Sequence, residues 1–154
     1  MFSYKNIIKK LLKDNISISI AESCTGGKLS KLFTDMPGIS KIFEMGLITY
    51  SDKSKVKILN VPITTINKFG AVSKEVATLM TKNLYKISKS KICISITGIA
   101  GPSGGSKTKP VGLVYIGLTI NKKTLIFKKN FKGNRKQIQN KTINFCFKKI
   151  NELV

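Results

Sequence analysis

At 154 residues the chain has the length of one ordinary domain, and no stretch reaches the roughly 18 to 20 uncharged apolar residues that cross a bilayer, so a membrane-spanning helix is excluded. Three cysteines, Cys24, Cys93 and Cys146, include no C-x-x-C pair, which argues against a disulfide framework or a structural zinc site and for a reducing, cytoplasmic setting. The formal charge of +21 suggests nucleic acid, but the cations run along the whole chain, all but Arg135 are lysines, and neither an aromatic stripe nor finger spacing accompanies them, so no specific nucleic-acid partner is expected.

Met1 to Lys5 lead into an amphipathic rather than an apolar segment, and Ile7, Ile8, Leu11 and Leu12 then fall on one side of a helix over roughly 3 to 14. Ile16 to Ala21 alternates apolar and small residues and reads as a strand ending at Glu22. Ser23-Cys24-Thr25-Gly26-Gly27 follows, and Leu29, Leu32 and Phe33 mark a helix over Lys28 to Thr34, so this segment occupies a strand-to-helix turn. Met36-Pro37-Gly38 ends that helix. Gly46 to Tyr50 reads as a second strand, with Ser51 or Asp52 capping a short helix to Leu59.

Pro62 to Phe69 reads as a connector, and Ser73 caps a helix to about Ser88 with Val76, Leu79, Met80, Leu84 and Ile87 as its buried stripe. Ile92 to Thr97 is a strand that runs into the glycine-rich Gly98 to Gly105. Val111 to Ile120 and Leu125 to Phe131 form a hairpin around Asn121 to Lys123, and a helix from Asn134 or Arg135 to about Asn151 closes the chain. The order predicts a single α/β domain over 1–154, an α/β/α sandwich with a mixed sheet and a late β-meander.

The sequence has no histidine, which removes Ser-His-Asp triads, Cys-His dyads and histidine metal ligation. A serine nucleophile then needs another base, and lysine is the common substitute once burial or neighbouring cations lower its pKa. Ser23 ends a strand where Cys24 to Gly27 offer backbone N–H groups at a helix start, suited to an oxyanion or a phosphate. On spacing alone, a capping role for Ser23 or Thr25 fits as well. Cys24 is a rival nucleophile, although a free cysteine between strand and helix is more often packed than reactive. Gly98 to Gly105 lacks the G-K-[ST] ending of a P-loop and the G-x-G-x-x-G pattern.

Five segments in order resemble one known family: Ala21-Glu22-Ser23-Cys24-Thr25-Gly26-Gly27, Thr49-Tyr50-Ser51 with Lys55, Gly70-Ala71-Val72-Ser73, Thr97 to Pro102 with Gly104-Gly105, and Lys109-Pro110-Val111-Gly112. The family is the carboxy-terminal domain of the competence/damage-inducible protein CinA, also found as a stand-alone nicotinamide-nucleotide amidohydrolase. The resemblance implies conversion of nicotinamide mononucleotide to nicotinate mononucleotide and ammonia, a step in pyridine nucleotide salvage, with no cofactor and no metal. It implies Ser23 as nucleophile, Lys55 as principal base and Tyr50 as relay or orienter. Thr25, Gly26 and Gly27 would supply oxyanion or substrate contacts, Thr97, Gly98 and Gly101 the opposite wall, and Arg135 the substrate phosphate. By the same analogy the chain forms a homodimer. Asp52 stands where the family usually has asparagine and Asn134 where it has aspartate. A carboxylate beside Lys55 favours its protonated form, so a catalytically weak nucleotide-binding module is the alternative. Longer members carry an amino-terminal domain whose pyrophosphatase activity is not transferred.

Overall fold

The computed structural model describes residues 3–154; Met1 and Phe2, the start of the expected amphipathic lead-in, lie outside the described residues. Strands β1 (Ile18–Glu22), β2 (Phe43–Ile48), β3 (Ile92–Gly98), β4 (Leu113–Ile120) and β5 (Lys123–Asn130) form one mixed sheet in the order β2-β1-β3-β4-β5. β1 pairs in parallel with β2 and β3, and β3, β4 and β5 follow one another antiparallel, giving the expected late meander.

Helices α1 (Tyr4–Lys13), α2 (Lys28–Thr34) and α6 (Arg135–Leu153) cover one face, where Ile8, Leu11, Leu29, Phe33, Phe147 and Ile150 pack on the isoleucines of β1 and β3. Helices α3 (Asp52–Leu59), α4 (Ile63–Phe69) and α5 (Lys74–Ser88) cover the other, through Leu59, Ile66, Val76, Met80 and Leu84. The small polar residues that alternate with the isoleucines are therefore buried as well. They let α5 lie close to the sheet: Ser95 Oγ donates to the Ala77 carbonyl at 2.8 Å, Thr81 Oγ1 to that of Cys93 at 3.0 Å, and a Cβ at Gly117 would come within 2.8 Å of Ala77 O.

Several boundaries differ from the sequence reading. The segment read as a connector contains α4, and a 3-10 turn at Ile39–Lys41 precedes a strand that starts at Phe43 rather than Gly46. β1 begins two residues late because Asn15 turns the chain at φ 50°, and α6 continues to Leu153. The hairpin turns on Asn121 and Lys122 alone, both at positive φ, which brings Lys123 into β5. Ser73 caps α5 as expected, accepting from the Val76 amide at 3.2 Å.

Candidate active site

The connection leaving β1 carries α2 on one face of the sheet, and the connection leaving β2 carries α3 to α5 on the other. Adjacent parallel strands whose connections diverge in this way open a crevice at their carboxyl ends, the usual ligand position of an open α/β sheet. Ser23 follows the last residue of β1, Thr49 and Tyr50 follow β2, and Thr97-Gly98 ends β3. The three segments meet there.

Lys55 comes from the first turns of α3. Its side chain is 1% exposed and its Nζ donates to the Thr49 carbonyl at 2.8 Å, to Ser23 Oγ at 3.1 Å and to the Tyr50 carbonyl at 3.2 Å. Burial lowers its pKa below the ordinary 10.5, outweighing the opposing pull of Asp52 and then Cys24. The carboxylate that stands before Lys55 therefore does not reverse the shift. Ser23 Oγ also lies 3.4 Å from the Tyr50 carbonyl, a second acceptor for its proton. Cys24, by contrast, is pushed up to about 12, chiefly by burial, and at neutral pH is a thiol with little nucleophilic character.

Behind Ser23 sits a second buried charged side chain. Glu22 is fully enclosed and accepts four hydrogen bonds: Thr25 Oγ1 at 2.6 Å and Leu29 N at 3.1 Å on one oxygen, Ser30 N at 2.8 Å and Ser30 Oγ at 2.7 Å on the other. The start of α2, which in the sequence looked ready for an anion, is thus occupied by the protein's own carboxylate. Thr25 spends its hydroxyl on Glu22, the Gly26 amide bonds the Ser23 carbonyl, and Gly27 begins α2 at φ 93°, a conformation that favours glycine. None of these three lines the cavity, so their expected substrate contacts give way to a role in shaping the Ser23 turn.

A cavity of about 300 Å³ opens in front of Ser23 and Lys55. Tyr50, Asp52, Thr97, Gly98, Gly101 and Arg135 are among the residues lining it. Tyr50 is 56% exposed, and its hydroxyl accepts from Arg135 at 2.8 Å instead of meeting Lys55; only the Tyr50 carbonyl reaches the Ser23–Lys55 pair. Arg135 also donates to the Gly101 carbonyl at 2.6 Å, tying α6 to the glycine-rich loop. Asn134 leaves Arg135 alone and caps α6, exchanging hydrogen bonds with Gln137, a task asparagine performs as well as aspartate. Thr97 donates to the Ala71 carbonyl at 2.8 Å and fixes the Gly70 to Ser73 turn against β3.

The model of the CinA C-terminal domain matches residues 2–154. The chain belongs to the CinA C-terminal domain family. A CinA-like protein of Endomicrobium trichonymphae is 51% identical over 134 residues, covering 87% of this chain and 31% of the relative. A competence-damage inducible protein of Caldanaerobacter subterraneus is 47% identical over 141 residues, 92% of this chain and 34% of the relative. The chain thus spans about a third of the length of these curated relatives. Among solved structures, the competence/damage inducible protein CihA of Agrobacterium tumefaciens superposes with a TM-score of 0.92 at 32% identity, covering 97% of this chain and 92% of that one. A competence or damage-inducible protein of Enterobacter asburiae gives 0.92 at 30% identity, with both chains fully covered.

Within this CinA-type domain the sequence assigns Glu22 no function, and offers Asp52 as an alternative cap of the short helix and as a departure that favours protonated Lys55. Glu22 carries a sequence signal: an acidic residue closing an apolar strand, three residues before Thr25 and just ahead of a helix start that lacks an acidic first turn. Ala71, Val72 and Ser103 also line the cavity, and periodicity held no sign of them.

Proposed function

We propose that this domain hydrolyses a carboxamide, that of nicotinamide mononucleotide, to the carboxylate and ammonia, with Ser23 as nucleophile and Lys55 as base. The observation that carries the reading is the 3.1 Å contact between Ser23 Oγ and a buried amine of lowered pKa at the floor of a cavity. Neutral Lys55 has two N–H groups for the Thr49 and Tyr50 carbonyls and a lone pair for the Ser23 proton, so deprotonation leaves every partner satisfied. As Ser23 Oγ attacks the amide carbon, its proton passes to Lys55. Collapse of the tetrahedral intermediate breaks the C–N bond, and Lys55 returns the proton to the departing nitrogen, which leaves as ammonia. Water then attacks the acyl-serine, Lys55 takes a water proton, and the proton returns to Ser23 as the acid is released.

The Ser23 amide is bound to Ile96 and the Gly26 amide to Ser23, while Cys24 is the next residue of this turn to line the cavity, and its amide is assigned to the developing oxyanion. Arg135, held at the rim by Gly101 and Tyr50, suits the substrate phosphate. Tyr50 acts on the Ser23–Lys55 pair through its carbonyl and on Arg135 through its hydroxyl. No helix among the described residues is long and apolar enough to cross a membrane. Incubation with nicotinamide mononucleotide should release ammonia and nicotinate mononucleotide; no turnover above that of Ser23→Ala would refute the assignment.

A further inference from the structure

Asp52 is the one acidic side chain among the residues lining the cavity. Its carboxylate is not spent on the helix it opens, because Ser51 fills the N-cap of α3, accepting from the Ser54 amide at 3.1 Å. The three ion pairs among the described residues lie elsewhere, between Lys31 and Asp35 and from Lys148 and Lys149 to Glu152. Lys55, three residues on, directs its amine at Thr49, Tyr50 and Ser23. The cavity lining thus holds one carboxylate outside any ion pair together with the guanidinium of Arg135. A ligand that complements both carries a cation and an anion.

We propose that Asp52 is a specificity-determining residue whose carboxylate selects, among phosphorylated carboxamides, those built on a cationic ring over the same molecule with a neutral ring. For the reacting group this rests on the amidohydrolase reading; the charge preference itself is a property of binding. Without Asp52 the charge of the lining comes only from the cationic groups, Arg135 and protonated Lys55, which attract the phosphate and repel a pyridinium. Asp52 is exposed, so the selection is screened by salt and of modest size.

The test pairs nicotinamide mononucleotide with its 1,4-dihydro form, which keeps amide, ribose and phosphate and loses the ring charge. Ammonia release and calorimetric binding are measured for both, on wild type and Asp52→Asn. The substitution should raise KM and Kd about fivefold for the pyridinium form and leave the dihydro form within about twofold, with the gap closing as salt rises. Equal changes for both nucleotides, or no change for either, would overturn the proposal. If wild type hydrolyses neither nucleotide, the amidohydrolase reading fails and the Kd comparison alone decides the charge preference. Binding of neither nucleotide would overturn both.

Discussion

Glu22 and Lys55 flank Ser23, one preceding it in sequence and the other touching its hydroxyl, and both are almost wholly buried, at 0% and 1% exposure. They are satisfied in opposite ways. Glu22 accepts from two hydroxyls and two backbone amides, all on its own turn or on α2 and none of them lining the cavity, so it holds the Ser23 turn and the start of α2 in one arrangement. Lys55 faces two fixed carbonyls and one hydroxyl, and a hydroxyl both gives and receives. Equal burial therefore yields a structural clamp in one case and, in the proposed mechanism, a proton carrier in the other, according to whether the hydroxyl it meets opens on the cavity.

Substitutions that separate these two roles give the largest effects. Ser23→Ala and Lys55→Met should each lower kcat by about a thousandfold or more while circular dichroism and ligand binding persist, since both remove the reacting pair and leave Glu22 in place. Glu22→Gln should do the reverse. Its amide group would point a donor at the amides of Leu29 or Ser30, costing about 3 kcal/mol of unfolding free energy in denaturant titration, with activity falling less than in Lys55→Met.

Arg135→Ala should raise KM roughly tenfold with kcat little altered, as expected for a group that binds the ligand away from the reacting atoms. The smallest effect concerns pH. With Lys55 as the proposed base, catalysis needs its neutral form, so the rate should rise with pH through a limb lying below 10.5. Asp52 and Cys24 are the groups that favour its proton, and Asp52→Asn should move that limb to lower pH. A shift to higher pH would contradict the placement of Asp52 beside the amine.

The framework of the domain was legible because its strands alternate and its long helices carry stripes: Ile18 to Glu22, Ile92 to Gly98 and the Ser73-capped α5 were all read within a few residues. α4 was missed because Ile63-Thr64-Thr65-Ile66 is β-branched and reads as extended chain, and Ile66 becomes helical by packing with Leu59 and Val76. At the site, the sequence pointed to Ser23 by its place at a strand end. Lys55 was one lysine in a crowd until resemblance selected it, since burial beneath the Thr49-Tyr50 turn leaves no local pattern. The Arg135–Tyr50 contact joins residues 85 apart and belongs to the tertiary fold alone. The oxyanion or substrate contacts of Thr25, Gly26 and Gly27 come from resemblance alone, whereas Thr25 bonds Glu22 and none of the three lines the cavity.

The central claim is that acyl transfer passes through Ser23 with its neighbour Cys24 inert. Rapid acid quenching of wild type with nicotinamide mononucleotide, followed by peptide mass spectrometry, tests it most directly when Ser23→Ala and Cys24→Ala are run beside it. The expected result is an acyl ester on Ser23, retained in Cys24→Ala and lost together with ammonia release in Ser23→Ala. An adduct on Cys24, or undiminished ammonia release from Ser23→Ala, would contradict it.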